Sequence, residues 1–311
     1  MRTCLFIVLC LGAAAWAQDS KESTSTVYTY DSNGRRVAAY DQAKASGPGG
    51  SSQSQTVTDI HGRKVPLESA EETVISEGPE GRVVERVVKK FDAQGRPTGQ
   101  EKVRLEESKS ADGASSTVRA TVYDRDLNGR FALRERSTTL TNKDGSSTRA
   151  ETVVERPNVN GNLDPLERKV AIITGDDSKT LKDVIVYRKD QQGALTPAVR
   201  EVTETNKEGD RETANTSEYN AASTGKMELT GQKLSQTVKA ADGSESQIVD
   251  VFGIGHAREP KLRERQLIER TPGEGKGTVE TFSVQRPAQD SGRLGAPQKI
   301  SETVCSGNCR P

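Results

Sequence analysis

One stretch of the chain sets oxygen-bearing side chains at the spacing a calcium ion needs: Asp124, Asp126 and Asn128, then Gly129 and, after five further residues, Glu135. Oxygens at positions 1, 3, 5 and 12 surround a hard cation, and glycine at position 6 permits the sharp turn. Calcium is therefore the one cofactor the sequence suggests. Against it, the same Gly-to-Glu distance recurs at Gly95 with Glu101 and at Gly161 with Glu167, where Lys90 and Arg156 replace the first ligand. Most of the pattern is thus a repeated turn closed by its own aspartate. Cys305 and Cys309 form the only cysteine pair beyond the first 17 residues, and in an exported chain such a pair reads as a disulfide, with free or intermolecular thiols the alternative. His61 and His256 are the only histidines, with no companion ligand near either. There is no Gly-x-Ser-x-Gly elbow and no HExxH, so no catalytic residue is assigned and the chain reads as a non-enzyme.

These residues sit in a chain of 311 with a thin apolar supply. Only 32% is hydrophobic and 4% aromatic against 29% charged, so a thick two-layer core would be short of filling. The 45 basic and 45 acidic residues cancel, which gives no electrostatic reason to expect nucleic acid. Residues 1–17 read as a signal peptide: Arg2, an apolar run from Cys4 to Ala15, and Ala15-Trp16-Ala17 ahead of Gln18. The run is too short to span a bilayer as a helix, and no later stretch is long enough. The expectation is export to the periplasm, the cell surface or the medium, with no transmembrane segment after cleavage.

The turns repeat. Asp31-Ser32-Asn33-Gly34, Asp59-Ile60-His61-Gly62, Asp92-Ala93-Gln94-Gly95, Asp126-Leu127-Asn128-Gly129, Asn158-Val159-Asn160-Gly161 and Asp190-Gln191-Gln192-Gly193 recur at about 32 residues. A looser set falls midway, at Asp112-Gly113, Asp144-Gly145, Asp176-Asp177, Glu208-Gly209 and Asp242-Gly243. Such corners between β-branched runs, as in Val83–Val88 and Thr117–Tyr123, are hairpin signals. Two turns per period predict 14 to 17 strands in an up-and-down antiparallel meander, all-β. The leading architecture is an elongated or curled sheet, with a soluble propeller or partly closed barrel as the alternative. An outer-membrane barrel is disfavoured, because charges such as Arg119, Glu85 and Arg86 fall on both faces and the ten aromatics beyond residue 17 are few for two girdles. The chain divides into a first hairpin over 18–44, a polar Ser/Gly/Gln loop over 45–55, a repeat domain over 56–304 and a tail over 305–311.

Tyr28-Thr29-Tyr30-Asp31-Ser32-Asn33-Gly34-Arg35-Arg36 and Phe91-Asp92-Ala93-Gln94-Gly95-Arg96 resemble the YD repeat of RHS-type bacterial surface and toxin-shell proteins. In the fifth unit Val154, Glu155, Arg156 and Pro157 replace the tyrosine signature. The resemblance implies a non-catalytic hairpin-repeat scaffold of the envelope and transfers no active site. The resulting expectation is an exported scaffold or interaction protein offering a sheet surface or edge to another envelope protein or glycan. The alternative is a glycan- or calcium-binding module acting through the turn rim, where Tyr28, Tyr30, Tyr123 and Tyr187 gather just before turns.

Overall fold

The structure, a computed structural model, describes residues 21–47, 49–58, 62–125, 129–255, 259–273, 277–288 and 292–307. The expected signal peptide, both histidines, Asp126, Asn128 and Cys309 lie outside them. Eighteen strands follow one another: β1 (Lys21–Tyr30), β2 (Arg36–Gly47), β3 (Gly50–Thr58), β4 (Lys64–Gly78), β5 (Gly81–Phe91), β6 (Pro97–Lys109), β7 (Ser115–Arg125), β8 (Phe131–Asp144), β9 (Ser147–Pro157), β10 (Leu163–Gly175), β11 (Lys179–Lys189), β12 (Leu195–Glu208), β13 (Arg211–Ala221), β14 (Met227–Lys239), β15 (Glu245–Ile254), β16 (Pro260–Pro272), β17 (Thr278–Gln285) and β18 (Gln298–Gly307). Each pairs antiparallel with the next.

The turns form as their residues dictate. Gly34, Gly95, Gly161 and Gly193 sit at φ between 73° and 84°, a region closed to most side chains. The preceding acid or amide closes each corner: Asp31 Oδ1 accepts the amides of Asn33 and Arg35, each at 2.9 Å. Asp92, Asn158 and Asp190 repeat the arrangement.

The meander does not stop as an open sheet. β1 also pairs with β18, from Ser23 opposite Gly307 to Thr29 opposite Ser301, so the last strand returns to the first and no edge is left. The elongated-sheet and propeller readings are corrected to a closed barrel, because sheet twist sustained over so many strands brings the two ends together. The expected loop over 45–55 is corrected too: residues 45–47 end β2 and 50–55 begin β3, with Gly47 paired to Gly50. Serine and glycine supply backbone groups for a ladder as well as any residue, and the long neighbour β4 fixes their register.

One layer of sheet encloses an open interior. The accessible surface is 21249 Å² for a 33.6 kDa chain, against roughly 13,000 Å² for a compact globule of that mass. No described side chain of any size is fully buried. Eighteen strands spaced about 4.8 Å apart and tilted about 40° close to a cylinder about 35 Å across between backbones.

Register and chirality fix which face looks inward. Crossing the wall from Val83 through Glu106, Arg119, Thr138, Val153 and Arg168 to Tyr187 climbs from the start of β5 to the end of β11. Barrel strands coil right-handedly, so with odd strands upward each successor lies to the left as seen from outside. In even strands, residues whose amides point back to the preceding strand then face the lumen. Lys143, bonded to the Ala114 carbonyl, and Lys207, bonded to that of Ser178, are examples. Burial agrees: Val65, Ala70, Val84, Val88, Val184 and Val284, six of the seven buried apolar residues, lie on this crowded concave face. On the convex face Val238 and Val304 are 37% and 38% exposed.

Candidate functional site

The lumen is the feature that could do work, and its wall is a mosaic. Small residues fill the middle of many inner rows: Val118, Ala120 and Val122 on β7, Thr139 on β8 and Thr152 on β9. The facing hydroxyls of Thr139 and Thr152 bond at 2.8 Å, and those of Thr203 and Thr216 at 2.9 Å. Inner charges are mostly engaged across strands. Lys233 donates to Glu218 at 2.5 Å, Arg270 reaches Glu245 and Glu280, and Arg188 reaches Glu167. In the sector from β18 to β3, neutral polar groups predominate: Ser301 and Thr303, Ser23 and Ser25, Gln42, Gln53 and Gln55 line it around Lys44.

Of the calcium candidates only Asp124 and Glu135 are described: Asp124, next to the last residue of β7, lies opposite Ala132, and Glu135 lies opposite Val122. Arg134 binds Asp124 at 2.9 Å and Glu101 at 2.7 Å, and Arg156 clasps Glu135 Oε2 with Nε and Nη2. Among the described residues no cluster of three metal-ligating side chains occurs. Cys305 is disulfide-bonded and faces the lumen beside Thr278 on β17.

The outer wall carries a different pattern at each height. Towards the Asp-x-x-Gly turns it is apolar. Tyr123 faces Leu133, Tyr187 faces Pro197, Tyr219 faces Leu229 and Phe252 faces Leu262 across adjacent strands. Tyr28, Tyr30 and Phe91 share that rim. Mid-wall, ion pairs bridge strands: bidentate Arg200 to Asp183 at 3.0 and 2.6 Å and Arg265 to Asp250 at 2.6 and 2.8 Å, and Arg136, whose Nε and Nη2 both reach Glu155 Oε2. Lys102 to Glu85 at 2.6 Å continues the belt.

Sequence reasoning missed the device that aims these side chains. Each hairpin at the Asp-x-x-Gly end carries a register shift, at Val122/Tyr123, Val186/Tyr187, Glu218/Tyr219 and Val251/Phe252 among others. The extra residue lies on the partner strand, and Val37 and Leu166, 53% and 38% exposed, are two such residues. A bulge sharpens twist and re-aims its neighbours. Its trace in the sequence was the return strand running longer than the outgoing one.

In the opposite turns the aspartates behave otherwise. Hydrogen bonds from the hydroxyls of Ser110, Ser178 and Ser244, seconded by backbone amides, hold the carboxyls of Asp112, Asp176 and Asp242 below the usual carboxylate range.

Closure, strand number and a hollow interior define a wide up-and-down β-barrel of porin type in its fold. The chain is similar to a mutant porin of Rh. blastica, with a TM-score of 0.53 and 7% identity over 92% of this chain and 97% of that one. It is also similar to Pseudomonas aeruginosa OpdQ, with a TM-score of 0.56 and 7% identity over 93% and 97%. For Pseudomonas aeruginosa OpdO the TM-score is 0.55, with 9% identity over 92% and 96%. At such identities the likeness is one of fold. No family model and no curated relative matches the sequence.

Three expectations fall with these findings. A scaffold offering an open sheet surface or edge is overturned, because the sheet has no edge and shares its fold with porins. The picture of a secreted array of independent hairpin repeats gives way to one closed wall. The absence of a transmembrane segment was inferred from helix length. Among the described residues no helix is long and apolar enough to cross a membrane, but a barrel crosses with strands, so that inference is withdrawn.

Proposed function

We propose that this chain is a non-enzymatic, water-filled channel of an outer membrane. The observation that carries the reading is the closed single-layer barrel of 18 strands, a strand number that leaves an aqueous lumen. The signal-like residues 1–17 and the porin likeness agree with an envelope location. The lumen mixes paired charges with hydroxyls and amides, which suits hydrated solutes over apolar ones. The outer wall meets lipid with its mid-height arginines already held by carboxylates, and pairing removes part of the cost of taking charge out of water.

The test is electrical. Residues 18–311, refolded into a planar bilayer, should give stepwise conductance and release small hydrophilic solutes from vesicles. Stable, folded protein that remains in the aqueous phase and passes no current would refute the reading.

A further inference from the structure

The two rims of the barrel differ in charge and in apolar surface. At the Asp-x-x-Gly rim the described connections carry Arg35, Arg63, Arg96, Arg130, Lys226, Arg286 and Arg293, with Arg286 3.8 Å from Glu264. The described acids of those connections, Asp31, Asp92, Asp190 and Glu259, are fewer than the bases. Just below these bases runs the outward aromatic and aliphatic ring. Bases also lean on it: the Arg36 guanidinium lies 3.6 Å from the centre of the Tyr28 ring, and the Lys299 ammonium 4.8 Å from that of Tyr30. At the opposite rim the described connections carry Glu80, Asp112, Asp176, Asp177, Asp210 and Asp242 and no base, and among the described residues no aromatic side chain lies nearby.

We propose that, of the two headgroup layers a spanning barrel meets, the one at the Asp-x-x-Gly rim is anionic. Tyrosine and phenylalanine settle where an apolar body and a polar setting meet. Bases beside them are attracted to anionic headgroups and repelled by none. The ring recurs on strands spaced around the whole circumference, from β1 through β7 and β11 to β15. A continuous planar phase touches all of these at once, whereas a single protein partner would cover one arc. The inference rests on the channel reading for the presence of a membrane and adds which rim meets which kind of lipid.

The test uses residues 18–311, which contain no tryptophan, so Tyr219→Trp introduces a single reporter. Vesicles of phosphatidylcholine are compared with vesicles holding phosphatidylglycerol at equal size and salt. Partition and a blue shift of the introduced indole's emission should be stronger on the phosphatidylglycerol vesicles and weaken as salt rises. Reversing Arg35, Arg96, Lys226 and Arg286 to Glu should cost about fivefold in partition per charge removed. Changing Asp112, Asp210 and Asp242 to Asn should leave the lipid preference in place. Equal partition on both lipids, or equal loss from both variant sets, overturns the inference. Conductance with no lipid preference would leave the channel standing and remove the rim proposal. Rim-dependent binding without conductance would do the reverse.

Discussion

The outward pair Asp183–Arg200 reports what surrounds the wall at mid-height. Asp183 is the fifth of eleven residues of β11, its two oxygens take Nε and Nη2 of Arg200, and the side chains are 27% and 43% exposed. Replacing Asp183 with Asn leaves a full guanidinium charge on the outer face with a neutral partner. In water the lost pair is worth about 0.2–1 kcal/mol. In hydrocarbon an arginine without its counter-charge costs about 2–4 kcal/mol at the midplane, or roughly 30- to 1000-fold in the folding equilibrium. A double-mutant cycle with Asp183→Asn and Arg200→Gln isolates the coupling, measured by urea titration of barrels folded into vesicles and tracked by far-UV circular dichroism. The channel reading expects coupling above about 2 kcal/mol in vesicles and below about 1 kcal/mol in mild detergent micelles that leave the mid-wall wet. Coupling under about 1 kcal/mol in vesicles would place that height of the wall in water and refute the lipid-facing assignment.

Other outcomes follow from single residues. Gly161→Ala meets no atom within 4 Å, so its cost of about 1–2 kcal/mol is the left-handed backbone alone, checked by thermal melting. Gly81→Ala puts a methyl group 2.1 Å from the Glu107 carbonyl oxygen, and it should destabilise by about 1–3 kcal/mol or shift the β5–β6 register. Asp112, Asp176 and Asp242 have lowered folded-state pKa values. Their contribution is present above the unfolded carboxylate pKa, about 3.9, and lost as pH falls through the lower folded values. The wild-type melting temperature should thus drop below about pH 4, and a triple Asn variant should show a flatter acid limb. Deleting residues 298–311 removes β18 and opens β1 and β17 as edges, which should abolish conductance and promote aggregation seen by light scattering.

What was legible in the sequence was local. Asp31-Ser32-Asn33-Gly34 and its copies announced hairpins, and their pitch announced a meander, because a turn's chemistry is held within four residues. Closure was not legible. It depends on the ladder from Thr24 opposite Ser306 to Tyr28 opposite Glu302, and nothing in either strand's composition names a partner at the far end of the chain. At the calcium spacing, Asp126 and Asn128 lie outside the described residues, and the other two candidates sit on facing strands where the bulge at Arg134 sets a guanidinium against Asp124.

Charges do fall on both faces, as parity along single strands implied, with Arg119 and Glu85 outward and Arg86 inward; on the channel reading, what decides is charge per pair and per height. Seen around the barrel, outward Glu106 lies opposite Arg119 and near Arg104, and outward Glu151 takes Arg168 at 2.8 Å. On the channel reading, aromatic residues too few for two girdles are enough for one, since a bulge in each of several hairpins aims them at the same rim. If that asymmetry sets the barrel's orientation, moving it should move the protein. Moving the tyrosine by Thr117→Tyr, opposite the Leu140 already present nearer the acidic rim, while changing Tyr123 and Leu133 to Thr, should weaken binding to anionic vesicles and leave strand content unchanged. Unaltered binding would show that the aromatic ring does not act through its height on the wall.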